Sequence, residues 1–180
     1  MQIEVSTKTG RSRRGLPRWF PLLLACAALA PLAGAAGPRT LLNHQAPVFT
    51  RRAFDGRVLS LASFHGKVVL LNFWATWCAP CQAEMPTFAG WQRQYAPQGF
   101  QVIGISMDDD AAPARKLAQK LRIDYPVALG DASLGEKYGG VLGLPITYLI
   151  DRHGTVRAFF QGNSDLGKME AQFLTLLRTP

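Results

Sequence analysis

Metal-ligating residues and nucleotide-binding motifs are scarce in this sequence, which contains only three cysteines and three histidines. A structural zinc site needs four ligands, but no second C-x-x-C is present, and His44, His65 and His153 stand singly without ligand spacing. The motifs G-x-G-x-x-G and G-x-x-x-x-G-K-[ST] and any fixed-period repeat are also absent. These absences argue against a structural zinc site, a dinucleotide or P-loop site, and a solenoid or propeller.

The charge balance gives little support to a nucleic-acid partner. The chain has 20 Lys and Arg against 12 Asp and Glu, a formal net charge of +8. Residues 1–36 contain five of the basic residues and one acidic residue, which leaves 15 and 11, a net charge of +4, for the remainder. Because no nucleic-acid motif accompanies this modest excess, we predict no nucleic-acid partner.

Residues 1–36 have the composition of an export signal. Five basic residues precede an uncharged apolar stretch, Trp19–Ala36, which contains an A-x-A cleavage pattern at residues 33–35. Because the stretch is 18 residues long, a retained membrane anchor stays open as an alternative, and the LLAC sequence ending at Cys26 loosely resembles a lipidation motif. Each interpretation places the folded domain outside the cytoplasm, and we predict a periplasmic location with possible N-terminal anchoring.

The rest of the chain is predicted to be a short linker followed by one folded domain. Residues 37–46 are polar and contain Pro and Gly, as linkers do, and residues 47–180 are long enough to bury a core. Asp55-Gly56 predicts the turn of an N-terminal β-hairpin, and near-continuous apolar runs predict strands buried on both faces.

The predicted fold class is α/β, a mixed sheet with helices on both faces. After the hairpin, its predicted elements are a strand at 68–73, a helix from about 78 to 95 that Pro86 kinks, a strand at 101–107, a helix at 112–122, a short strand or loop at 125–131, a short helix at 133–140, a hairpin of strands 146–151 and 156–162, and a helix at 166–177. The run Asp108–Asp110 is expected to cap or solvate a helix start.

Cys78 and Cys81 lie in the stretch NFWATWCAPCQAEMP, residues 72–86. A C-x-x-C pair can be half a zinc site, a structural staple or a redox-active dithiol. A disulfide that closes so small a loop stabilises little. Cys78 follows a predicted strand and begins a predicted helix, whose free N–H groups and dipole favour a thiolate, and Cys81 lies about one turn further on, where it can resolve a mixed disulfide. The pattern therefore favours the redox interpretation.

The residues around the pair are candidates for contact with a substrate. Pro80 suits the first helical turn and stiffens it, and Ala79 and Pro80 together influence the reduction potential. Trp77 is expected to shield the sulfurs as a partly exposed apolar neighbour, whereas Trp74 is expected in the core or as support.

The sequence FWATWCAPC, preceded by GKVVLLN and followed by GLPITYLID, resembles the thioredoxin superfamily. More narrowly, it is similar to the exported TlpA/ResA-like (redoxin) thiol–disulfide oxidoreductases, over about residues 44–178, and the N-terminal hairpin matches an extension of that subfamily. The resemblance implies a thioredoxin-like fold, a central mixed β-sheet flanked by helices with an N-terminal β-hairpin extension. We expect neither a cofactor nor a metal ion.

The resemblance also implies roles for individual residues. Cys78 would be the attacking, solvent-facing cysteine and Cys81 the buried, resolving one. Pro145, in GLPIT, falls where the family has a cis-proline beside the disulfide, although sequence alone favours trans for an X-Pro bond. The backbone beside this proline, at Leu144, would pair with an extended substrate chain.

Glu84 lies three residues after Cys81, one helical turn further along. It is either a solvated helix carboxylate or, because CAPCQAEMP resembles the ResA-like pattern C-x-x-C-x-x-E-x-P, a partly buried acid that shuttles protons for thiol exchange. Thioredoxins have a buried Asp on the central strand for this role, but Asn72 occupies that position here and cannot titrate. Glu84 is therefore the candidate proton shuttle.

These observations predict a periplasmic protein-disulfide reductase that acts through Cys78 and Cys81. Its expected clients are exported proteins with disulfides, in cytochrome c maturation or copper-site assembly. Because an exported compartment is oxidising, a membrane thiol-reductase relay is the expected electron donor. Two alternatives stay open: an exported copper-binding chaperone, since copper(I) favours thiolates, and a thiol peroxidase, although Thr76 precedes Cys78 by two residues rather than the three that the peroxidase motif requires.

Overall fold

The computed structural model describes residues 38–179, and a five-stranded mixed sheet forms the centre of this part. The strands are β1 (Thr50–Arg52), β2 (Val58–Ser60), β3 (Val68–Trp74), β4 (Phe100–Ser106), β5 (Val127–Leu129), β6 (Ile146–Ile150) and β7 (Val156–Gln161), and the helices are α1 (Ala79–Tyr95), α2 (Ala111–Lys120), α3 (Ala132–Lys137) and α4 (Leu166–Arg178). The strand order of the sheet is β5–β4–β3–β6–β7, in which β3 pairs in parallel with β4 and antiparallel with β6. A separate antiparallel pair, β1–β2, precedes this sheet in the chain.

The predicted architecture is confirmed: a mixed sheet, helices against it, and an N-terminal hairpin. Every residue of β3 and β4 is buried, as their continuous apolar runs predict for strands covered on both faces. α1 continues through Pro86, and the kink expected there stays a prediction. The segment predicted as a short strand or loop contains β5, which pairs with the C-terminal end of β4.

The sheet separates two groups of buried side chains, because alternate residues of a strand point to opposite faces. Leu70 and Trp74 of β3 pack in the same group as Cys78 and Cys81 and the buried residues of α1 and α4. Leu71 packs in the other group, with residues of the N-terminal hairpin and α3. The cysteine pair therefore rests on the α1 face of the central strand.

The hairpin turn lies at the predicted place. The N–H of Gly56, which has a positive φ of 87°, donates to the carbonyl oxygen of Ala53 over 2.9 Å. The hairpin joins the main sheet where the N–H of Phe54 donates to the carbonyl oxygen of Val127 over 2.8 Å. The two-stranded extension is thus fastened to the edge strand β5.

The segment predicted as a linker, as far as it is described, is hydrogen-bonded to the domain. After a 3₁₀ turn at Pro38–Leu41, the N–H of Asn43 donates to the carbonyl oxygen of Val156 over 2.8 Å. The N–H of Ala46 donates to the carbonyl oxygen of Gly154, also over 2.8 Å. The predicted export signal or anchor, residues 1–36, lies outside the described residues. Across residues 38–179, no helix has the length and apolarity needed to span a membrane.

Candidate active site

The two cysteines form a disulfide at the start of α1, with their Cα atoms 5.3 Å apart. Cys78 is the residue that caps the helix, and its sulfur accepts a hydrogen bond from the N–H of Cys81 over 3.3 Å. Pro80 lies in the first turn, where its missing N–H leaves no helical hydrogen bond unmade. A free N–H at a helix start stabilises a thiolate, so this geometry suits Cys78 to be the attacking sulfur.

Cys78 was predicted to face the solvent, but it is less accessible than that prediction implies. It exposes 4% of its surface and Cys81 exposes 1%. The difference has a local cause, because the sulfur of Cys78 is turned toward the N–H of Cys81 and bonded to the buried sulfur of that residue. The order of exposure still agrees with Cys78 as the first sulfur that a partner meets.

Exposed residues surround the buried pair. Trp77 directly precedes Cys78 and exposes 70% of its surface, and Ala79 and Pro80 between the cysteines are also exposed. Trp74, by contrast, is fully buried, as expected. Trp77 is therefore more exposed than a residue that shields the sulfurs, and it offers an apolar surface to a partner.

The loop before β6 lies at the same end of the sheet as the disulfide, since Ile146 pairs with Phe73 near the end of β3. The Leu144–Pro145 peptide bond is cis, as the family resemblance implied. Leu144 is half-buried and Pro145 is buried. The loop and the cysteines thus lie at the same end of the sheet, although 63 residues lie between Cys81 and Pro145 in the sequence.

Leu142 is an exposed apolar residue of this loop that the sequence interpretation missed. It exposes 80% of its surface, and its carbonyl oxygen accepts a hydrogen bond from the Gln161 side chain over 2.6 Å. Gly140 and Gly143 on either side have positive φ values of 78° and 80°, which glycine adopts without strain. In the sequence, the signal that could have indicated an exposed Leu142 was its position between these two glycines.

Glu84 is buried, exposing 5% of its surface, so the alternative of a solvated helix carboxylate is wrong. Burial raises the pKa of Glu84 to about 7, and the nearby backbone N–H of Ser164 acts in the opposite direction. Its Oε1 atom has no hydrogen-bond partner within the described part of the chain. A carboxyl group that titrates near neutral pH one turn beyond Cys81 can accept or donate a proton during exchange.

Asn72 is buried on the central strand, on the face that α1 covers. Its amide nitrogen donates to the hydroxyl oxygen of Thr147 over 2.9 Å, and its Oδ1 has no partner among residues 38–179. An amide does not titrate, so Asn72 cannot transfer a proton, and Glu84 stays the predicted proton shuttle. In the described part of the chain, no group of three or more His, Cys, Asp and Glu residues could hold a metal ion.

Comparison with known families agrees with this geometry. A model of the AhpC/TSA family matches residues 42–159, which include both cysteines, Glu84 and the cis-proline. The chain belongs to the AhpC/TSA family.

Relatives of this AhpC/TSA protein are named for thiol–disulfide chemistry. It is 31% identical over 129 residues to thiol-disulfide oxidoreductase ResA of Bacillus thuringiensis subsp. konkukian, covering 72% of this chain and 75% of that protein. It is 33% identical over 131 residues to the thioredoxin-like protein YneN of Bacillus subtilis, covering 71% and 76%. Among solved structures, a thiol:disulfide interchange protein of the thioredoxin family from Chlorobium tepidum superimposes with a TM-score of 0.69 at 30% identity, covering 74% of this chain and 95% of that chain.

The predicted family, fold and enzyme class are confirmed. This AhpC/TSA protein has a thioredoxin-like fold and is a thiol–disulfide oxidoreductase, with the Cys78–Cys81 pair at the start of α1. The roles of Glu84, Trp77 and Leu144 stay predictions, to which the observed burial of Glu84 and exposure of Trp77 give support.

We expect the stability of the domain to depend on pH through Glu84. Because the folded-state pKa of Glu84, about 7, lies above its ordinary value of 4.5, folding favours the protonated form, and that stability is present below about pH 4.5 and is lost as pH rises through 7. Glu84→Gln should therefore match the wild type in free energy of unfolding at pH 4 and exceed it by about 3 kcal/mol at pH 8. Urea denaturation of the oxidised proteins at both pH values measures this difference.

Glu136 on α3 supplies a matched control, since it is exposed. Glu136→Gln should leave the difference between pH 4 and pH 8 unchanged. Equal unfolding free energies for the wild type and Glu84→Gln at pH 8 would contradict the assignment.

Proposed function

We propose that this protein is an exported disulfide reductase: its Cys78–Cys81 dithiol passes electrons to disulfides of client proteins in the periplasm. The observation that carries the proposal is the buried Glu84 carboxyl group one turn behind the pair, with its pKa raised to about 7. Once ionised, this group disfavours a neighbouring thiolate. A dithiol whose thiolate is disfavoured gives up its electrons more readily, which is the property of a reductant.

The reaction follows from the positions of the two sulfurs. The thiolate of Cys78 attacks one sulfur of the client disulfide, which forms a mixed disulfide and releases the other client sulfur as a thiolate that takes up a proton. The Cys81 thiol then loses its proton to Glu84 and attacks the sulfur of Cys78, and the second client sulfur leaves. Two electrons have passed to the client, and the enzyme carries the Cys78–Cys81 disulfide.

The enzyme must then be reduced again by a second protein. The proposed periplasmic location rests on the signal-like composition of residues 1–36. After export, this segment is either cleaved off or retained as an N-terminal anchor. Because an exported compartment supplies no reducing pool, a membrane thiol-reductase relay is the proposed electron donor. The proposed clients are the disulfides of apocytochromes c or of proteins that await copper. The name of the ResA relatives, thiol-disulfide oxidoreductase, supports the exchange chemistry of this proposal.

Two exposed apolar residues suit the site to a protein client. Trp77 and Leu142 belong to the loops that follow β3 and precede β6, and these strands are neighbours in the sheet. Leu144 directly precedes the cis-proline in the loop before β6, and its backbone is where an extended client chain can pair. A client with apolar side chains beside its disulfide therefore fits this surface.

The reduction potential of the Cys78–Cys81 pair tests the direction of electron flow. We expect a value near that of thioredoxin, about −270 mV, because Glu84 opposes thiolate formation. Equilibration with glutathione redox buffers, followed by quantification of the reduced protein, measures it. A value near about −120 mV, that of a strong oxidant, would reverse the proposed direction.

Glu84→Gln should lower the pH at which Cys78 of the reduced enzyme becomes reactive. Removing the ionisable carboxyl removes the charge that disfavours the thiolate, so the midpoint of the alkylation rate against pH should fall by roughly one pH unit. Iodoacetamide alkylation followed by mass spectrometry measures this profile, with Glu136→Gln as the control. An unchanged profile would remove Glu84 from the mechanism.

Trp77→Ala combined with Leu142→Ser should weaken the binding of an apolar client without impairing the exchange reaction. We expect KM for a disulfide peptide flanked by Leu and Phe to rise by about tenfold, because two exposed contacts are lost, while kcat changes little. The rate with cystine, which is too small to reach both residues, should stay the same. Val58→Ser, an exposed apolar residue of the hairpin, is the matched control; an equal KM for both variants would contradict the assignment.

A further inference from the structure

Asp108 accepts four hydrogen bonds at the C-terminal end of β4. The N–H of Thr76 donates to both carboxylate oxygens, over 3.1 Å to Oδ1 and 3.0 Å to Oδ2. The hydroxyl of Thr76 donates to Oδ1 over 2.6 Å, and the hydroxyl of Ser106 donates to Oδ2 over 2.7 Å. The sequence predicted that the run of three aspartates would cap or solvate a helix start; Asp110 does cap α2, through the N–H of Ala112, but Asp108 turns toward the active site.

These bonds hold the peptide that leads into Cys78. Thr76 lies two residues before Cys78, and its own carbonyl oxygen accepts a hydrogen bond from the Gln82 side chain on α1 over 2.7 Å. The N–H of Met107 donates to the carbonyl oxygen of Trp74 over 2.7 Å, which ties the same loop to β4 a second time. Thr76 is thus bonded to β4 on one side and to α1 on the other, and this fixes the direction from which Cys78 enters its helix.

The carboxylate also brings a negative charge within hydrogen-bond distance of Thr76, two residues before Cys78. Three donor groups make these four hydrogen bonds, and none of the ion pairs found among residues 38–179 includes Asp108. The charged side chains of α1 are Glu84 and Arg93, and Arg93 pairs with Asp124. Asp109 and Asp110 follow Asp108, and Asp131, which lines the same surface depression, pairs with Arg51. Asp165 and Lys168 at the start of α4 pair with each other. The hydroxyls offset part of the Asp108 charge, but no cation neutralises it.

We propose that Asp108 is a positioning residue of the dithiol: through Thr76 it holds the approach to Cys78, and its charge makes the Cys78 thiolate harder to form. The inference rests on thiol–disulfide exchange at Cys78 but not on the direction of electron flow in the proposed function. Asp108 acts from the end of β4 through Thr76, and Glu84 acts from α1, so the two acidic side chains come from different elements.

Asp108→Asn tests this inference, because asparagine keeps the shape of the side chain and an acceptor oxygen for Thr76 but removes the charge. The alkylation midpoint of Cys78 in the full-length reduced protein should fall by about one pH unit, a tenfold change in the acid dissociation constant. At pH values where the thiolate predominates, the reduction potential should shift toward that of an oxidant. A merely structural role for Asp108 predicts loss of stability without a shift of the midpoint.

Asp109→Asn is the matched control, since this exposed neighbour loses the same charge without holding Thr76. Its midpoint should equal that of the wild type; an equal fall in both variants would show a general effect of charge and overturn the positioning role. Thr76→Val keeps the charge and removes one donor that offsets it, so its midpoint should move to higher pH. That variant decides the question if Asp108→Asn does not fold.

Different results would overturn the proposed reductase direction and the proposed role of Asp108. A measured potential near that of a strong oxidant would overturn the reductase direction and leave the Asp108 comparison intact, because the comparison uses differences between variants. Identical midpoints for the wild type, Asp108→Asn and Thr76→Val would overturn the Asp108 inference, whatever the absolute potential.

Discussion

The hydrogen bond from the N–H of Cys81 to the sulfur of Cys78 is the contact on which the site depends. It makes one side chain both the cap of α1 and the reacting group, so the position of the sulfur is fixed wherever the helix is fixed. The helix is held in turn by the packing of α1 and β3 side chains in one buried group. The packed core therefore fixes the position of the Cys78 sulfur, because no flexible segment lies between the core and this residue.

Opposing influences act on the same sulfur. The helix start favours the thiolate, as free N–H groups and the positive end of the dipole do. In the proposed function, the buried carboxyl of Glu84 opposes it from one helical turn further along, where burial has raised the pKa of this carboxyl to about 7. A thiol under the first influence alone would be more acidic and the dithiol a poorer reductant, whereas the proposed combination keeps the sulfur reactive and lets the dithiol release its electrons.

The sequence was most informative where the cause of a structure is local. Continuous apolar runs located β3 and β4, Asp55-Gly56 located the hairpin turn, and the C-x-x-C spacing located the reactive pair. Contacts between distant segments could not be read in this way. The side chain of Asp108 joins Thr76 across 32 residues, and the exposure of Leu142 depends on how the loop before β6 is held by Gln161. The cis bond before Pro145 lay between these cases, because only the family resemblance, and no rule about the residues themselves, favoured it.

The short spacing of the cysteine pair has a consequence for how the enzyme works over many cycles. Only three positions separate the bonded residues, so opening or closing the bond changes the constraints on less than one turn of a helix whose remainder is held by the core. We therefore expect the oxidised and reduced molecules to differ in structure mainly within this turn. Electron exchange would then require little rearrangement of the protein, and the rate of turnover would depend on the encounter with partner proteins and on the exchange steps themselves.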